Sequence, residues 1–146
     1  MGAFRDIELI FSFSQMTSTY VKLQDAYAAE SGAVGTWASI GYIGPGTKDG
    51  ATKSSTTVFD YADVLDGTTN GSIMIGNLTT AKSGWSAKNK TALNDCKIQS
   101  EWKITVKGGS ASNGSTVEYA ATTPTVGNGE TDGCSSLTPN FANIGK

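Results

Sequence analysis

Cys96 and Cys134 are the two thiols of the chain, and they are the residues whose chemistry is easiest to state. Either they form one disulfide, which in chain-entropy terms would contribute about 4 kcal/mol by closing the loop between them, or they stay two buried thiols in a reducing compartment. The chain has no histidine. That removes the commonest general base, and with it Ser/His/Asp and Cys/His nucleophilic catalysis. Neither GxxxxGK[ST] nor GxGxxG occurs after a strand pattern, so no loop is set up to cradle phosphate. Asp60, Asp63 and Asp66 could form an acid pair or hold calcium, but acids flanking a turn are the simpler reading. Asn128, Glu130, Asp132 and Gly133 imitate the opening of a calcium loop. Its twelfth position is Pro139, where a bidentate Glu is required, so only a looser calcium site stays open there.

Asn70, Asn77, Asn89 and Asn113 each open an N-x-[ST] triplet, which in a chain this rich in Asn, Ser and Thr reads first as turn and surface. Outside the leading segment the aromatic residues are Trp37, Tyr42, Phe59, Tyr61, Trp85, Trp102, Tyr119 and Phe141. Core packing suits Trp102, whereas Trp85, in a polar stretch, is expected at the surface, where a carbohydrate platform could use it. No catalytic set, cofactor site or metal site emerges, and the chain is expected not to be an enzyme.

With 146 residues the chain fits a single domain over 1–146 that buries a core of its own. Charged residues make up 16% and the net charge is −2. No Lys/Arg cluster neutralises phosphates, so nucleic acid is not a predicted partner. Low charge with many small hydroxyl residues is the composition of secreted or surface-displayed β-rich proteins. Neither a signal peptide nor an 18-residue apolar run is present.

Before the first glycine-rich break, Phe4 to Glu30 reads as one long amphipathic helix. Leu9, Phe13, Met16, Tyr20, Leu23 and Tyr27 recur at spacings of three and four and fall on one face, while Gln15, Ser18, Lys22, Gln24 and Asp25 face water. Gly32 supplies the C-cap. Such a helix would be about 40 Å long. Its first third is apolar nearly all round, with Phe4, Ile7, Leu9, Ile10, Phe11 and Phe13, and so asks for burial against a partner. Met1-Gly2 running straight into mid-helix sequence reads as an artificial start, with a hydrophobic half-helix cut away.

A glycine-rich loop over Ser31–Thr57 is expected to pack Trp37 and Ile40 on the domain. Four strands are predicted: Thr56–Tyr61, Ser72–Leu78, 98–107 and Ser115–Ala121. The third is the clearest, with Ile98, Trp102, Ile104 and Val106 on a dry face opposite Gln99, Glu101, Lys103, Thr105 and Lys107. Asp66-Gly67 and Asn70-Gly71 suggest that the first two strands form a hairpin, and Phe141 and Ile144 are expected to dock the tail.

Three stretches carry a resemblance: Ala26-Tyr27-Ala28-Ala29-Glu30-Ser31-Gly32; Gly35-Thr36-Trp37 with Ile40-Gly41-Tyr42; and Leu93-Asn94-Asp95-Cys96 with Trp102. Together with the order of the elements they resemble the soluble domain of a bacterial type IV pilin. The resemblance implies an α+β fold: a long N-terminal helix (3–31), a connecting loop (32–57), an antiparallel sheet of about four strands (58–121) and a disulfide-bounded region (96–134). It also implies a Cys96–Cys134 bridge formed in the periplasm. The function implied is that of a structural subunit, inserted in the inner membrane before assembly machinery polymerises identical copies into an extracellular filament for adhesion or twitching motility. Phe4, Ile7, Ile10, Phe11 and Phe13 would be the assembly residues, and the loops Gly44–Ser55 and Gly127–Gly133 would meet a host or surface ligand. The chain departs from the family in lacking the prepilin peptidase site and the apolar half-helix, which Ile7-Glu8-Leu9-Ile10 only imitates. A pseudopilin of a secretion system and an unrelated secreted β-rich adhesin or carbohydrate-binding module are the alternatives.

Overall fold

The computed structural model describes residues 13–92, 96–109, 116–124, 138 and 141–144. Helix α1 is described over Phe13–Ser31 and a one-turn helix, α2, over Trp37–Ile40. Among the described residues eight strands follow the order β1 (Ala33–Gly35), β2 (Thr47–Asp49), β3 (Lys53–Ser55), β4 (Phe59–Ala62), β5 (Ser72–Met74), β6 (Lys82–Asn89), β7 (Glu101–Gly108) and β8 (Val117–Thr122). Turns of 3-10 helix occupy Ile75–Asn77 and Phe141–Asn143.

The strands form two antiparallel sheets. One pairs β1 with β5, and the other has six strands in the order β2-β3-β4-β6-β7-β8. This corrects the expected α+β layout of a long helix on about four strands. Among the described residues strand outweighs helix, α1 covers 19 residues, and no disulfide joins two described residues. Residues 3–12 of the expected helix and Cys134 lie outside the described residues.

The reason lies in the stretch expected to be a loop. Gly50, with φ of 74°, lets Lys53–Ser55 fold back on Thr47–Asp49, and β3 then lies beside β4, so the larger sheet begins inside 32–57. The expected hairpin of the first two strands is also corrected. Asn70-Gly71 closes a tight turn of its own between Thr69 and Ser72, and β5 joins β1 in the smaller sheet.

Strand β6 is central, between β4 and β7. Its sequence, KSGWSAKN, carries little β propensity, yet Trp85, Ala87 and Asn89 point inward and are fully buried. Two flanking ladders outweigh local preference there. A bulge between Ser83 and Trp85 takes Gly84 out of register. Strand β7 begins at Glu101, with Trp102, Ile104 and Val106 buried as expected, but Ile98 lies in the preceding turn and is 56% exposed.

Helix α1 gives one stripe to the core. Phe13, Tyr20 and Ala28 are buried, with Met16, Val21, Leu23 and Tyr27 partly so. Phe13 meets Phe59, Tyr61, Trp85, Trp102 and Phe141, with ring centroids 4.9 to 6.1 Å away. Phe141 is buried and Ile144 packs against the core, so the tail docks as expected. Gly32 has φ of 67° and donates its N–H to the Ala28 carbonyl, as a helix C-cap does.

Tyr20 stands against the backbone of Gly84, where any Cβ would run into the Tyr20 hydroxyl. Replacing Gly84 with Ala is therefore expected to destabilise the fold by about 1–3 kcal/mol through overpacking, read as a lowered denaturant midpoint. An unchanged midpoint would mean that the tyrosine moves aside freely.

Candidate functional site

The outward face of the six-stranded sheet is where the fold gathers charged side chains. Antiparallel register sets Asp60 opposite Lys88 and Lys88 opposite Glu101, one residue per strand across β4, β6 and β7. The next row sets Ala62 opposite Ser86 and Ser86 opposite Lys103, and the small Ala and Ser leave a depression. Asp60, Lys88, Glu101, Ala62 and Ser86, with Asp49, Lys53, Ser55 and Val64, line a groove of about 360 Å³. Alternating sign along such a row supports ion pairing and hydrogen bonding to a polar surface. A second hollow of about 250 Å³ lies between α2 and the β2–β3 hairpin, bordered by small residues, Ile43, Lys48 and Lys53.

The acids singled out in sequence do not converge. Asp60 faces out on the sheet, and Asp66 pairs with Lys82 at 3.2 Å on the surface. Asp63 is spent on the backbone: Trp37 and Leu65 donate their N–H groups to its two carboxylate oxygens at 3.0 and 3.1 Å, which fixes the start of α2. Burial raises the Asp63 pKa, and those two hydrogen bonds oppose the rise. Among the described residues no group of three His, Cys, Asp or Glu side chains could hold a metal ion. Asn128, Glu130 and Asp132 lie outside the described residues.

Cys96 is fully buried and is not a free thiol, while Cys134 lies outside the described residues. Phe4, Ile7, Ile10 and Phe11 lie outside them as well, and so does Gly127–Gly133. Phe13, the one expected assembly residue in view, is 2% exposed inside its ring of aromatics.

Trp85, expected at the surface, is fully buried. All three tryptophans are, and each indole N–H has an acceptor: Trp37 donates to the Gly84 carbonyl, Trp85 to the Tyr42 hydroxyl and Trp102 to Thr138. Asn89 also departs from its surface reading. Its amide nitrogen donates to the carbonyls of Thr91 and Lys97, and its oxygen accepts from the Ser100 N–H, all at 2.8 Å, which ties down the turn ahead of β7. Asn70 and Asn77 are exposed as expected, and Asn113 lies outside the described residues.

Gln24 is the main polar residue missed. Placed on the wet face by its spacing, it is fully buried and clamps β1: its amide donates to the Gly35 carbonyl at 3.0 Å and to the Tyr20 hydroxyl at 3.1 Å, and its oxygen accepts from the Gly35 N–H at 2.7 Å. No sequence signal marks the clamp, because Gly35 sits eleven residues on, beyond any helical period; only Tyr20 lies within a helical turn of Gln24.

Tyr119 donates to Asp25 at 2.7 Å, which joins β8 to α1. Desolvation raises the pKa of Tyr20, Tyr119 and Tyr42, the last pushed up to about 12. No protein-family model, curated protein or solved structure matches the chain. No helix among the described residues is long and apolar enough to cross a membrane.

Two outcomes follow from these polar contacts. Gln24→Ala leaves the buried Gly35 N–H and carbonyl without partners, and is expected to cost at least about 2 kcal/mol in chemical denaturation. For the tyrosines, the folded pKa lies above the unfolded value near 10, so the folded state keeps protons that the unfolded chain loses. Stability is full below about pH 10 and falls as the pH rises further, with tyrosinate absorbance appearing together with unfolding. Ionisation of Tyr20, Tyr42 and Tyr119 near pH 10 in a folded chain would contradict their burial.

Proposed function

We propose that the chain is a structural, non-catalytic subunit of a type IV pilus, polymerising with identical copies through the apolar residues ahead of Phe13. The observation that carries this reading is how α1 spends its aromatic stripe. Phe13 and Tyr20 are consumed by the chain's own core, yet the sequence ahead of them continues with Phe4, Ile7, Leu9, Ile10 and Phe11. Apolar side chains beyond those one core uses are what sister copies can bury, and repeated head-to-tail burial builds a filament that does not close.

The resembling stretches support the reading by the work they do locally. Gly32 caps α1, Gly35 takes the Gln24 clamp, and Thr36 caps α2 by accepting from the Ser39 N–H. On this reading the subunit rests in the inner membrane until assembly machinery adds it to an extracellular filament, and adhesion or twitching motility is the filament's task.

The polar groove favours a second reading, a secreted module that docks a polar partner on the sheet face. An aromatic carbohydrate platform is not that partner's seat, because Trp37, Trp85 and Trp102 are all buried.

The test is the subunit with Ile10→Ser and Phe11→Ser expressed in a bacterium equipped to assemble type IV pili. The expected outcome is loss of filaments by electron microscopy, while the isolated domain carrying both changes melts where the parent does. Normal filament yield overturns the assembly reading.

A further inference from the structure

The chain contains three Asn-Gly pairs, at 70–71, 113–114 and 128–129, and only the first lies among the described residues. There Asn70 and Gly71 are the two central residues of a turn closed by Thr69 and Ser72, which exchange N–H···O bonds of 2.9 and 3.2 Å. Both central residues have positive φ, 54° and 83°. Asn70 is exposed, and among the described residues neither its carboxamide nor the Gly71 N–H makes a hydrogen bond. The Gly71 carbonyl is held firmly, accepting from the Thr36 N–H and the Ser39 hydroxyl at 3.0 Å each.

We propose that Asn70 is a self-modification site, where the Gly71 nitrogen displaces the side-chain amide in the folded protein. Gly71 N, losing its proton to hydroxide, attacks Asn70 Cγ; the new C–N bond forms, the Cγ–Nδ2 bond breaks, and ammonia leaves with a proton from water. Water then opens the resulting five-membered imide at either carbonyl, giving aspartate or isoaspartate, with no change of oxidation state. Gly71 suits the reaction because it has no side chain to crowd the attack, and it cannot gain one here: a Cβ would meet the Ser39 hydroxyl at 2.5 Å. Each event moves the net charge from −2 to −3. The isoaspartate branch also inserts one carbon into the main chain just ahead of Gly71. That pulls the Gly71 carbonyl off Thr36 and Ser39, the residues that start α2 and seat Trp37.

The experiment holds the folded chain at mildly alkaline pH and follows residue 70 by peptide mass mapping and enzymatic isoaspartate methylation, beside Asn70→Gln and a free peptide of residues 66–74. The expected result is amide loss and isoaspartate at position 70 in the folded chain, loss of both signals in N70Q, and a lower denaturant midpoint for the isoaspartate fraction. An Asn70 amide still intact in the folded chain when the free peptide has fully converted overturns the proposal. So does an isoaspartate fraction that unfolds with the parent.

Discussion

The closure of five aromatic rings on Phe13 is the contact on which the remainder of the molecule leans. It draws on α1, β4, β6, β7 and the last 3-10 turn, so one ring fixes how segments far apart in sequence meet. All five contacts are tilted or edge-on, which lets the positive edge of one ring face the negative face of the next. Since a close-packed interior transmits displacement, the position of Phe13 sets the depth at which α1 lies, and with it the reach of Tyr20 and Gln24.

Around that apolar centre the polar groups are few and specific. Gln24 answers both backbone groups of Gly35, Asn89 answers three groups of one connection, and Asp63 answers the N–H of Trp37 at the start of α2 and that of Leu65. Each of these side chains satisfies loop or edge backbone that no ladder reaches, and leaving such groups unpaired in the interior is costly. The indole N–H groups follow the same rule, so three large rings are buried without an orphaned donor.

Alternation and spacing made parts of this legible in advance. Trp102, Ile104 and Val106 alternate with charged neighbours and proved to be the dry face of β7, and the Gly32 cap and the docking of Phe141 were readable from position alone. Strand β6 was not, because its burial comes from lying between two partners, while its own residues are small and polar. The buried roles of Gln24 and Asn89 each rest in part on a backbone group eleven residues away, Gly35 and Ser100, a separation without a local period. The charged row Asp60, Lys88 and Glu101 was hidden for the same reason: it exists only across the register of three strands.

One edge of the larger sheet is β2, three residues long, with Thr47, Lys48 and Asp49 all exposed. A strange strand approaching there would find a short row of free amides and would have to strip water from an ammonium and a carboxylate to use them. Growth by adding strands is thereby discouraged at that rim. The opposite rim is the six-residue β8, so the backbone pairing that the sheet still offers lies there and not at β2.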